Sequence, residues 1–199
     1  MRRPAWGGVM VGALLIVAGA AAASAEERLR FGIKDVTIAG GYSFSHSTVG
    51  GPEVESVDSF QLLPHFGYIL SDEHGPGWLR GNFELLAEPT LVHFSSRSES
   101  ATAVGLSAVL RWIFATDWVV RPYLEVEGGI LAGQLEFRQT TCDVNYVLGG
   151  GPGLLWFLSD QVAITAGYRF QHISNARSCD KNLGLNSSLF TAGISYFFP

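Results

Sequence analysis

The chain has 199 residues, a formal net charge of −5 and 24 glycines, and 12% of its residues are aromatic. Its acidic balance excludes nucleic acid as a partner, because a phosphate backbone selects for Lys and Arg. The length suits one domain.

The N-terminus sets the compartment. Arg2 and Arg3 form a basic start, Gly8 to Ala22 is an uncharged apolar run, and Ala23-Ser24-Ala25 is a small-residue cleavage signal followed by Glu26 and Glu27. This pattern predicts a secretory signal peptide over residues 1–25. Its removal takes both arginines and moves the net charge from −5 to −7. The remaining chain has no second apolar run long enough for a spanning helix. An exported chain rich in glycine and aromatics is then either a β-sandwich or an outer-membrane barrel.

Residues 26–199 divide into eight stretches of strand length, near 32–46, 57–70, 78–95, 101–115, 119–137, 144–158, 161–174 and 186–198. Between them the connections read as alternately short (Ser71–Gly77, Thr116–Trp118, Ser159–Asp160) and long (Ser47–Ser56, Ser95–Ser100, Arg138–Asp143, Asn175–Leu185). Each stretch alternates with a period of two, so each parity class is one face. In the seventh, Val162, Ile164, Ala166, Tyr168 and Phe170 oppose Gln161, Thr165, Gly167, Arg169 and Gln171. In the eighth, Phe190, Ala192, Ile194, Tyr196 and Phe198 oppose Thr191, Gly193 and Ser195.

The polar face separates sandwich from barrel. Glu84 and Glu88, Arg111, and Glu125 and Glu127 share one face of three successive strands, and Arg169 shares it two strands on. Carboxylates flanking arginines suit a barrel interior filled by ion pairs. Trp78, Trp112, Trp118 and Trp156 fall at the end of the short turns. Tyr42, Phe44, Phe60, Phe94, Tyr146, Phe170 and Phe190 fall toward the other rim, giving two aromatic girdles. The predicted fold is all-β, an eight-stranded antiparallel transmembrane β-barrel of the outer membrane, with its termini and short turns periplasmic.

Two constellations carry chemistry. His172 and Ser174 stand two apart on a strand and project from one face, with the parity of the lipid-facing set. A histidine so placed can deprotonate a serine hydroxyl. Asn186 begins the eighth strand on the same outward parity and can sit beside His172. A polar pair aimed at the bilayer rim points to a substrate drawn from the membrane. Cys142 and Cys179 fall in extracellular loops over adjacent strands and are expected to form a disulfide. Gly149-Gly150-Gly151-Pro152-Gly153 lies within a strand and lacks the Lys-Ser/Thr end of a phosphate loop. It reads as a bend or as room for a neighbouring side chain. His46, His65, His74 and His93 show no ligand spacing and are expected to be non-catalytic.

Over 168–186, YRFQHISNARSCDKNLGLN, the sequence resembles the lipid A 3-O-deacylase (PagL) family. The family carries a His-x-Ser pair in its seventh strand and a third residue twelve positions after the serine. The resemblance implies that His172 is the general base and Ser174 the nucleophile, with Asn186 third in the triad. Asn175, Ala176 and Asn182 are implied to form the oxyanion hole, with the backbone N–H near Ala176 and the Asn182 amide as donors. The third position is usually Glu in the family. Asn186 can fix the imidazole tautomer but brings no charge, and Asp180 in the same loop is an alternative third member. The implied activity is hydrolysis of an ester-linked acyl chain of lipid A in lipopolysaccharide, without metal or cofactor. Arg97, Arg138, Arg177 and Lys181 could meet lipid phosphates, although Glu53, Glu55, Glu99, Asp143 and Asp180 share their loops. The alternative reading is a non-catalytic barrel with a structural, adhesive or ligand-binding role.

Overall fold

A computed structural model describes residues 28–46, 56–137 and 141–199. The expected signal peptide, and Glu53, Glu55 and Arg138, lie outside the described residues. Eight strands close into a barrel in sequence order: β1 (Lys34–His46), β2 (Asp58–Ile69), β3 (Gly81–Ser95), β4 (Ser100–Phe114), β5 (Val120–Glu136), β6 (Thr141–Phe157), β7 (Val162–Ser174) and β8 (Leu185–Phe198). Every neighbouring pair is antiparallel, and β8 closes on β1 through the register Lys34↔Phe198 to His46↔Asn186. Closure removes the unpaired strand edges that lipid could not satisfy.

Alternation decides which side chains face which medium. Ile38, Leu106, Val126, Leu148 and Ile194 are exposed on the outer wall, while Asp35, Glu84, Glu88, Arg111, Glu125, Glu127 and Arg169 are buried inside. The inward charges form one connected ladder. Arg111 reaches Glu84 at 2.8 Å and Glu125 at 2.9 Å. Arg169 grips Glu88 with both terminal nitrogens, at 2.7 and 2.8 Å, and also bonds Glu125. His65 Nε2 lies 2.7 Å from Glu88. Glu127 takes the Ser107 hydroxyl and the Gln171 amide. Glu88, Glu125 and Glu127 thus meet donors at both oxygens, which offsets the cost of removing them from water, whereas Glu84 and Asp35, which accepts from the Thr37 hydroxyl, each keep one oxygen without a hydrogen-bond donor among the described residues. Apolar layers around Phe94, Leu135 and Phe137 at one end, and Ile69, Ile113 and Leu155 at the other, cap this polar middle. A cavity of about 10 Å³ beside Gln61, Ser107, Glu127 and Gln171 has room for about one water.

The expected alternation of short and long connections is not followed. The Ser71 connection runs from 70 to 80, with a 3-10 turn at Gly77–Leu79 that holds Trp78 ahead of β3. The expected long loop at Ser95–Ser100 is a tight turn closed by Ser96 N–H on Glu99 O. The third loop contracts because β6 starts at Thr141, so Cys142 is a strand residue. Phe94 is not a girdle residue. It shares the parity of Glu84 and Glu88, points inward and packs edge-on against Phe137 at 5.8 Å. The glycine run gives room to a neighbour: a Cβ on Gly153 would stand 2.1 Å from Tyr123 Cζ. That ring packs inside, over the Arg111 guanidinium at 4.1 Å.

Candidate active site

The site is built at one rim by the ends of β7 and β8 and the loop 175–184 between them. Along β7, Gln171 and Ile173 are buried inward, while Phe170, His172 and Ser174 take the outer face. Register pairs His172 with Asn186 on β8. Their side chains meet, with His172 Nδ1 2.7 Å from Asn186 Oδ1. An amide oxygen only accepts, so Nδ1 carries the proton and Nε2 is left with a lone pair. That is the tautomer a general base needs. Asp180 has no part in this contact. It borders an open pocket of about 650 Å³ with Arg177, Lys181 and Asn182.

Ser174 is the last residue of β7 and pairs with Tyr146 on β6. Its hydroxyl has no hydrogen-bond partner among the described residues, so the His–Asn link is made and the Ser–His link is not. Two residues on one strand face stand about 7 Å apart at Cα, and such contacts commonly tighten when substrate is bound.

The loop is fixed from within. Asn175 is fully buried. Its N–H donates to Asn182 Oδ1 at 3.0 Å, its side-chain nitrogen to Lys181 O at 2.7 Å, and its side-chain oxygen accepts from Arg177 N–H at 2.9 Å. Asn175 thus braces the loop from within. Ala176 and Arg177 follow in the left-handed region, at φ 50° and 68°, at a cost of about 1–2 kcal/mol each. This turn leaves the Ala176 N–H without a partner among the described residues. Asn182 is oriented by accepting at its oxygen, so its amide nitrogen is directed elsewhere. A disulfide joins Cys142 on β6 to Cys179 in the loop, with Cα atoms 5.9 Å apart.

One residue at the site, Gly184, was not singled out by the sequence reading. Gly184, at φ +75°, lies against the imidazole, and a Cβ there would stand 2.5 Å from His172 Cε1. The signal was a glycine two positions before Asn186. His46, expected to be non-catalytic, is the β1 neighbour of Asn186 across β8. Its Nε2 is 2.9 Å from Ser188 Oγ, which also contacts Tyr168 OH at 3.1 Å. The signal was positional only, since the β1–β8 register that brings His46 there is not written in either strand alone. Among the described residues no group of three or more His, Cys, Asp or Glu could hold a metal.

A closed eight-stranded barrel with an apolar outer wall and an imidazole–amide pair set into that wall defines an outer-membrane-type barrel with hydrolase-like chemistry at its rim. The model of the family "Lipid A 3-O-deacylase (PagL)" matches residues 57–195. The chain belongs to that family. Among solved structures, the barrel is similar to the outer membrane enzyme PagL, at 17% identity and TM-score 0.58 over 80% of this chain and 97% of that one. It is also similar to Neisserial surface protein A, at 18% identity and TM-score 0.55 over 84% and 99%. A third likeness is the N-terminal barrel domain of Pseudomonas aeruginosa OprF, at 12% identity and TM-score 0.52 over 84% and 98%. At these identities the likeness is one of fold. No curated protein sequence matches the chain.

Proposed function

We propose that this protein is an outer-membrane esterase that removes the 3-O-linked acyl chain of lipid A, working from the outer wall of its barrel. The observation that carries the reading is the outward His172–Asn186 hydrogen bond on the same strand face as Ser174. A polar pair in a lipid-facing wall has no solvation reason to be there, and its reagents must come from the bilayer.

In the proposed reaction Ser174 Oγ attacks the ester carbonyl carbon while His172 Nε2 takes the hydroxyl proton. Asn186 Oδ1 holds the Nδ1–H and so keeps Nε2 basic. The Ala176 N–H and the Asn182 side-chain nitrogen receive the oxyanion. The C–O bond then breaks, His172 returns its proton to the departing sugar oxygen, and the acyl group stays on Ser174. Water, deprotonated by the same imidazole, attacks that ester and releases the fatty acid. The residues 1–25 are proposed to be cleaved on export, which delivers the barrel to the outer membrane.

Incubation of the purified protein with lipid A, followed by mass spectrometry, tests the reading. Loss of one hydroxyacyl chain is expected, together with its absence for Ser174→Ala. Unchanged lipid A with both proteins refutes the esterase. The non-catalytic alternative is favoured by one feature, the amide in place of the family's carboxylate at position 186, and the same assay decides it.

A further inference from the structure

We infer that Gly184 is a positioning residue for His172: the side chain it lacks is the space that the Cε1 edge of the imidazole needs. The inference rests on the proposed esterase and extends it to a residue that neither motif nor chemistry marks. Three distances locate the contact. A Cβ built on Gly184 would lie 2.5 Å from His172 Cε1, 3.3 Å from Nε2 and 3.4 Å from Nδ1. Near-equal distances to the two nitrogens place that point opposite the carbon between them, so the residue abuts the Cε1–H edge of the ring. Carbon–carbon contacts of ordinary length are near 3.5–4.0 Å, and only a residue without Cβ can lie so close here. The left-handed φ of +75° brings the backbone in from that side.

That clearance matters because of what stands at position 186. A carboxylate would hold an imidazolium by charge. An amide offers one neutral hydrogen bond, worth about 1 kcal/mol, which leaves the ring free to rock about its last torsion. With Asn186 on Nδ1 and no Cβ at 184 to push on the Cε1 edge, the ring keeps the seat in which that one bond forms. Nε2 then keeps one direction, toward the face shared with Ser174.

Two substitutions separate the contact from backbone strain. Ala adds a Cβ and dislikes the left-handed region, whereas Asn adds the same Cβ and tolerates that region. If that clearance is what matters, Gly184→Ala and Gly184→Asn both lower kcat on lipid A about 100-fold, the cost of a misplacement of about 1 Å. KM stays within a few-fold, and both barrels keep the compact gel mobility of the folded native protein. Native-like kcat in either variant overturns the inference. Histidine ¹⁵N spectra in micelles read the same point without catalysis. The native His172 is expected to show protonated Nδ1 and bare Nε2, with both variants losing that signature. Unchanged His172 signals in the variants overturn the inference even if native protein and Ser174→Ala prove equally inert on lipid A, the outcome that sinks the esterase instead.

Discussion

Replacing Asn186 probes the site's least usual feature. The contact to His172 Nδ1 is 2.7 Å, a short hydrogen bond in which the amide oxygen accepts. As the imidazole becomes imidazolium in the transition state, this becomes a hydrogen bond to a charged group, worth about 1.5–3 kcal/mol. Only the gain over the neutral bond of about 1 kcal/mol counts toward the barrier, about 0.5–2 kcal/mol, so Asn186→Leu, which keeps the volume and removes the acceptor, is expected to lower kcat/KM by about 2- to 30-fold. Asn186→Glu restores a charge. Two unit charges about 4 Å apart attract by about 4 kcal/mol at an effective dielectric of 20. Desolvation of the carboxylate at the bilayer rim removes a large part of that gain. A net of about 1.4–2.8 kcal/mol corresponds to a rate increase of about 10- to 100-fold. Initial rates of acyl release from lipid A in detergent micelles, quantified by mass spectrometry, measure both. If the Leu variant is as fast as the native protein, Asn186 does not serve the imidazole. If the Glu variant is no faster while Leu is slower, the amide does all that this position can do and the electrostatic reasoning fails.

The remaining expectations concern the scaffold. Arg169→Leu strips the guanidinium from Glu88 and Glu125 inside the barrel and should cost about 3–5 kcal/mol, read as a urea midpoint lowered by about 1–3 M. An unchanged midpoint would mean that the ladder does not hold the barrel. Asn175→Ala removes both side-chain bonds that tie the loop to Lys181 and Arg177. It is expected to cost at least tenfold in kcat with the urea midpoint little changed, because the loop is local; a lost barrel fold or a native kcat would contradict this. Cys142→Ser frees the loop from β6. Limited proteolysis near Cys179 should then quicken relative to the native protein, and equal rates would show that the inner hydrogen bonds suffice.

Parity made much of this fold legible. A period of two assigns Glu84, Glu88, Arg111 and Arg169 to one face whatever the loops do, and the ladder follows from their types. The same rule places Phe94 inside, and assigning it to the girdle set its aromatic character above its parity. Connection lengths were less legible because hairpin ladders extend as far as cross-strand pairing permits. β5 and β6 run on past a bulge between Ala132 and Leu135, so Cys142 joins a strand that composition alone assigns to a loop. At the site, His172, Ser174 and Asn186 were readable because their spacing is local to β7 and β8. The use of Asn175 as the loop's inner brace was not readable, since a side chain that could serve an oxyanion equally well satisfies a buried turn. The place of His46 beside Asn186 was not legible for a different reason: barrel closure, which joins the first strand to the last, has no local signature.

One strand does two jobs, and its period keeps them apart. On β7, Arg169 and Gln171 are locked into the interior ladder by bonds to Glu88, Glu125 and Glu127, while His172 and Ser174 face out. A slip of one residue in β7 would bury the imidazole and push Arg169 into lipid, so the energy of the ladder also enforces the register on which the outer pair depends. The inner charges can therefore be remote from the reaction and still control its geometry. A barrel that acted only as a membrane plug could fill its lumen with apolar side chains at similar stability. β7 is the strand where the inner network and the outer pair meet, so a change to the ladder reaches the outer wall through the register of β7.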